Sequence, residues 1–141
     1  MDARDEAART TFMRFREASE RGDKVALPEL VAEDFTMTWP QSGERFRGAD
    51  NAFAAMEAQE LKPTAAGEQR IRGSGDRWVV MVPLRQGEEV HHYGGLFELR
   101  DGLVAATTEY FGAPFAAQPG RAPFAEQRSE VPGASSAPSA T

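Results

Sequence analysis

Cysteine is absent from this sequence. That excludes a disulfide scaffold, a thiol nucleophile and any thiolate-held metal, and it leaves the compartment open. Basic clusters are missing as well: the formal charge is −6 and no Lys/Arg run offsets it. Nucleic-acid binding needs a basic footprint, so this balance argues against that partner. No stretch approaches the roughly 18 apolar residues of a membrane span, so no membrane partner is expected. The opening Met1-Asp-Ala-Arg-Asp-Glu6 is acidic with no apolar run behind it, unlike a signal peptide. A cytoplasmic protein is the expectation. Histidine is confined to His91 and His92. Neighbours on a strand point to opposite faces, so these two cannot chelate one ion, and no third ligand is evident. No metal and no other cofactor is expected.

What is present suits one ordinary domain. The 141 residues, 40% hydrophobic and 27% charged, suffice for a single core. Ala8, Phe12, Phe15 and Ser19 recur at helical spacing over residues 3–21. Gly22 is a natural helix stop, and Asp23 caps a second helix over about 24–32. Phe35, Met37 and Trp39 alternate with Thr36 and Thr38, which predicts a half-buried strand ended by Pro40. A loop follows through Ser42-Gly43. Gly48-Ala-Asp50 opens a third helix to about residue 60, with Ala52, Phe53 and Met56 as its apolar stripe.

The remainder reads as strands. Residues 69–72 lead through a Gly73–Asp76 turn into 77–84. There Trp78, Val80, Val82 and Leu84 oppose Val79 and Met81, and both faces look apolar, predicting a strand covered on both sides. Residues 90–99 carry Gly94-Gly95, which suggests a bulge or a close backbone approach. Asp101-Gly102 is a tight hairpin signal before a last strand over 103–111. Pro114, Pro119 and Pro123 break regular structure beyond residue 112, with Phe115 and Phe124 placed to pin residues 113–128 on the domain. Residues 129–141 are Pro/Gly/Ala/Ser-rich and are expected to be disordered.

Three helices on a strongly bent antiparallel sheet make an α+β, cone-shaped barrel. Over about residues 5–112 the pattern resembles the nuclear transport factor 2-like superfamily, and within it the SnoaL-like and steroid-isomerase-like proteins. The resemblance rests on Gly22-Asp23, Trp39-Pro40, Phe46-Arg-Gly48, Arg100-Asp-Gly102 and Glu109-Tyr-Phe111, in that order. It implies a small-molecule cavity. It does not by itself imply a reaction, because the fold hosts enzymes and non-enzymes. The steroid isomerases' oxyanion tyrosine corresponds to Phe15, their aspartate base to Trp39, and their second acid falls near Gly95. All three roles are absent. The Arg-x-Asp pair of limonene-epoxide-type hydrolases is matched only by Arg77-Trp78-Val79, which lacks the acid. The last-strand acid shared by those hydrolases and the SnoaL-like cyclases corresponds to Glu109, seven residues after Gly102.

Glu109 is therefore the principal candidate. Facing an apolar cavity, its carboxyl would be raised toward neutral pKa and suit acid/base work. Paired with Arg45 or Arg47 at a strand edge, it would be structural. Register with Gly102 places His91, Tyr93, Phe97 and Thr107 on the same face, unless the paired glycines flip the parity. Phe15, Met37, Trp39, Phe53, Met56 and Trp78 are expected in the core and cavity wall, with Gln41 at the mouth. Arg45 and Arg47 read as a solvated rim or as an anion clamp. The outer face is expected to carry Trp78, Val80 and Val82, or their alternating neighbours, and apolar residues there predict a homodimer through that face, or cover by the tail. Two readings stand: a cofactor-free cyclase, isomerase or dehydratase using Glu109, His91 and Tyr93, or a non-catalytic ligand-binding or dimerisation module.

Overall fold

The computed structural model describes residues 3–59 and 63–126. Helix α1 (Ala3–Arg21) buries Ala8, Phe12, Phe15 and Ala18, one stripe at spacings of four and three. The chain then turns on Asp23, whose Oδ1 accepts from the amides of Val25 at 3.1 Å and Ala26 at 3.0 Å. Helix α2 (Leu27–Leu30) is shorter than the expected 24–32. Val31 and Ala32 already belong to strand β1 (Val31–Trp39), where both are buried. After β2 (Glu44–Arg47) comes α3 (Ala49–Glu57). Next are β3 (Thr64–Ala65), β4 (Arg70–Ser74), β5 (Arg77–Gln86), β6 (Glu89–Arg100) and β7 (Leu103–Gly112).

The strands form one curved, unclosed sheet in the order β2-β1-β7-β6-β5-β3, with β4 also paired to β5. Every pairing is antiparallel except β1 with β7, which run parallel through Met37–Thr107 and Thr38–Thr108. The sheet is therefore mixed rather than wholly antiparallel. Tight turns dictate the direction of sequential strands, but β1 and β7 are joined through the whole intervening chain, so no turn fixes theirs. At the β6–β7 hairpin, Asp101 and Gly102 have φ of 52° and 79°. Such a two-residue turn needs left-handed backbone at both positions, which Asp-Gly tolerates.

Gly94-Gly95 does not interrupt the ladder: Val80 faces Gly95 and Met81 faces Gly94 in an unbroken β5–β6 register. The irregularity lies between Glu98 and Leu99, where the pairing with β7 jumps from Ala106 to Val104. The extra residue, Ala105, lets both Val104 and Thr107 point inward, with 0% and 1% exposure.

The two faces of β5 differ. Trp78, Val80 and Val82 are buried on the concave face, while Val79 and Met81 are exposed on the outer one, as is Tyr110 of β7. Among the described residues nothing covers these three exposed side chains. Phe115 and Phe124, expected to pin the segment after β7, are 84% and 88% exposed around a 3-10 turn (Pro119–Phe124). Residues 127–128 and the tail over 129–141 lie outside the described residues.

A run of touching aromatic rings joins α1 to the sheet and α3. Phe12 stacks on Trp78 at 5.6 Å and meets Phe97 edge-on at 5.1 Å. Phe15 contacts Phe97 at 5.8 Å and Phe35 at 6.3 Å, and Phe35 reaches Phe53 at 6.3 Å. Phe12 is 0% exposed, so Phe12→Ala leaves a cavity that its neighbours cannot fill. A loss of about 3–5 kcal/mol is expected, measured by urea unfolding; a loss below about 1 kcal/mol would show that the closed end is not tightly packed.

Candidate functional site

The concave face is not completely filled. A cavity of about 430 Å³ remains between the second half of α1, α3 and strands β1, β6 and β7. A larger, shallow depression of about 560 Å³ over the β4–β5 turn is lined mainly by exposed residues, among them Gly73, Ser74 and Arg77. No buried titratable group faces that depression, so the chemistry of interest lies in the smaller cavity.

Glu109 lies in the cavity wall, 8% exposed. Its Oε1 accepts a hydrogen bond from Trp39 Nε1 at 3.1 Å. Burial pushes its carboxyl above the ordinary glutamate value of 4.5. The Trp39 indole N–H, the Tyr93 hydroxyl, the Arg16 guanidinium and the Thr107 hydroxyl each oppose that rise, in this order. Thr107 Oγ1 is fully buried and has no hydrogen bond of good geometry, so its influence is that of a nearby dipole. Tyr93 is pushed well above 10, first by burial and then by the Glu109 charge. It therefore remains a proton-bearing hydroxyl.

The sheet register creates this arrangement. Glu109 of β7 sits directly opposite Gly95 of β6. A Cβ at Gly95 would stand 2.5 Å from the Tyr93 hydroxyl and 2.9 Å from a Phe97 ring carbon. The glycine is a slot that lets the Tyr93 ring lie back along its own strand toward Glu109. A second aromatic run braces the wall: Phe46 against Trp39 at 4.8 Å, Trp39 against Phe111 at 5.7 Å, and Phe111 against Tyr93 at 5.3 Å.

Of the residues singled out from sequence, Glu109, Tyr93, Phe15, Met37, Trp39, Phe53, Met56 and Phe97 border the cavity. Four do not. His91 shares the parity of Tyr93, but it lies nearer the strand's start, where its Nε2 is 2.9 Å from Glu89 Oε1. Trp78 is sealed behind Phe12 at the closed end, and its Nε1 donates to the Gly75 carbonyl at 3.0 Å. Thr107 is buried between its cross-strand neighbours Met37 and Phe97, which stand at the surface of the cavity in its place. Gln41 is exposed and binds the backbone of Phe111: Nε2 donates to the Phe111 carbonyl at 2.7 Å and Oε1 accepts from its amide at 2.6 Å. Arg45 and Arg47 are exposed on β2, where Arg45 Nε donates to Thr38 Oγ1 at 3.3 Å.

Sequence reasoning passed over Arg16, Leu27, Leu84 and Phe111, which also line the cavity. Arg16 had a usable signal. It follows Phe12 by four residues and so flanks the buried stripe of α1.

Among the described residues, an α+β cone holds a buried carboxyl, Glu109, whose pKa burial raises. No protein-family model matches the sequence, and no curated protein matches it. Among solved structures, a nuclear transport factor 2-like protein of unknown function from Burkholderia xenovorans is 31% identical. It superposes with a TM-score of 0.75 over 90% of this chain and 99% of its own. The chain belongs to the nuclear transport factor 2-like family. A proposed ketosteroid isomerase from Kribbella flavida shares the fold at 22% identity, with a TM-score of 0.79 over 87% of this chain and 90% of that one. A proposed SnoaL-like polyketide cyclase from a Jannaschia species shares it at 16% identity, with a TM-score of 0.64 over 79% and 89%.

The raised Glu109 pKa has a consequence for stability. Its contribution is complete below the unfolded value near 4.5 and is lost as pH rises through the higher folded value. Glu109→Gln removes the titration. The stability of the wild type relative to Glu109→Gln should therefore fall as pH rises above that unfolded value, as measured by urea midpoints across pH. A pH-independent difference would show that the carboxyl is not held in its acid form.

Proposed function

We propose that the cavity is a small-molecule site in which Glu109 is the single acid/base group. The observation that carries this reading is the buried Glu109 carboxyl, anchored through Oε1 by Trp39 and flanked by the Tyr93 hydroxyl. A carboxyl raised toward neutrality is a stronger base when ionised and still a usable acid when protonated. In the ionised form it would take a proton from a carbon next to a substrate carbonyl. Tyr93 would donate a hydrogen bond to the oxygen on which charge develops. Returning the same proton to another atom of the substrate completes an isomerisation, an aldol-type cyclisation or, with loss of water, a dehydration. None of these steps calls on a cofactor. The likeness in fold to a proposed ketosteroid isomerase and a proposed polyketide cyclase is compatible with this class.

The second reading is a non-catalytic ligand-binding module. It is favoured by Phe15 and Trp39, which stand in the cavity wall where steroid isomerases carry catalytic groups. Deuterium exchange separates the two. A panel of cyclic ketones and β-diketones is incubated with protein in D2O and followed by NMR. The wild type should accelerate exchange at the carbon beside the carbonyl. Glu109→Gln should lose about 100-fold or more of that rate while keeping the wild-type circular dichroism spectrum and a cooperative unfolding transition. Equal exchange by the two proteins would sink the catalytic reading. Ligand binding without exchange would establish the module.

The same proposal extends to assembly. Val79, Met81 and Tyr110 are exposed at the centre of the outer sheet face, and a second copy packed there would remove them from water. Sedimentation should show a dimer for the wild type and a monomer for Met81→Arg. A monomeric wild type would reject this face as an interface.

A further inference from the structure

The cavity wall contains a cation to which the proton transfers proposed at Glu109 assign no contact with the ligand, although its charge favours the Glu109 anion. Arg16 reaches it from α1 with its side chain only 14% exposed. Its guanidinium carbon lies 5.8 Å from the centre of the Tyr93 ring and 6.0 Å from that of Phe97. The partner that holds it is neutral. With its amide turned so that the oxygen faces Arg16, Gln69 accepts from Nη2 at 2.7 Å and from Nε at 3.2 Å. The carboxylate within reach, Glu20, is 3.8 Å from Nη2 and 61% exposed.

The other cations of the rim are matched more closely. Arg21 pairs with Asp23 at 3.3 Å, and Lys24 pairs with Glu57 at 2.9 Å. Glu109 makes no ion pair with Arg16, and burial favours its neutral form. Arg16 is thus a largely desolvated positive charge whose hydrogen-bond partner is neutral and whose ion pair, with Glu20, is long and exposed. Removing such a charge from water is costly unless an anion accompanies it. A planar guanidinium is well suited to a planar carboxylate.

Taking the cavity as a small-molecule site, we propose that its ligands are aromatic or polycyclic carboxylic acids. The carboxylate lies against Arg16, and the apolar skeleton lies among Phe15, Phe53, Phe97 and Phe111. The volume of about 430 Å³ suits such a ligand. Arg21 and Lys24 at the rim are each paired with a carboxylate, so the charge that Arg16 offers matches one negative charge rather than the two of a phosphate monoester. The anion-clamp role thereby moves from Arg45 and Arg47, exposed on β2, to Arg16 inside the cone.

Calorimetric titration with 1-naphthoate and its neutral counterpart 1-naphthamide tests this. The wild type should bind the acid at least about tenfold more tightly, the size of one charge-assisted hydrogen bond. Arg16→Gln should reduce the preference to about threefold or less on the same scale, and Arg16→Lys should restore part of it. The wild-type comparison and Arg16→Lys decide the matter even if Arg16→Gln fails to fold. Equal binding of the two probes to the wild type would overturn the proposal and leave the cavity reading intact. A preference that survives in folded Arg16→Gln would also overturn it. If neither probe binds, the small-molecule reading of the cavity fails, and this inference fails with it.

Discussion

Phe12 is the side chain on which the arrangement turns. It drives α1 into the concave face of the sheet between Trp78 and Phe97 and is completely removed from water there. That contact closes one end of the cone. It also fixes how far α1 stands off β6 and β7 further along, where the helix carries Phe15 and Arg16. The cavity is the space left once this wedge is in place. Its position follows from the packing of an apolar end, not from any polar group within it.

Within that space one carboxyl is kept away from water and surrounded by donors. Glu109 experiences two opposed influences: burial that favours the acid form, and the Trp39, Tyr93 and Arg16 groups that favour the anion. A surface carboxylate has neither. Such opposed influences are what the acid/base role proposed for Glu109 rests on. It depends on neighbours set by sheet register, since Gly95 must lack a side chain for the Tyr93 ring to lie where it does.

Much of the scaffold was legible because it is written locally. The stripe of Phe12 and Phe15, the Gly22-Asp23 stop, the alternation of Phe35, Met37 and Trp39, and the Asp101-Gly102 turn each act over a few residues. The parallel pairing of β1 with β7 and the extra Ala105 were not legible, because both arise between segments far apart in sequence. The site shows the same division. The parity that puts Glu109, Tyr93 and Phe97 on one face is a local property. Whether a residue of that parity reaches the cavity depends on how far along the strand the cavity extends, and His91 lies outside it. Alternation left open which face Trp78 takes; it faces the core, and Phe12 stands in front of it.

Gln41 shows how the rim is tied to the interior. Beyond Trp39 the backbone of β1 leaves the sheet, and the side-chain amide of Gln41 takes the place of a peptide group, giving and receiving one hydrogen bond with Phe111. Phe111 in turn touches both Trp39 and Tyr93. The strand is thus extended by a group on a flexible stem, at the point where it borders the cavity. Sequence change at this one solvent-facing position can reshape an aromatic wall while leaving the ladder itself intact. That separates the evolvability of the pocket from the stability of the fold.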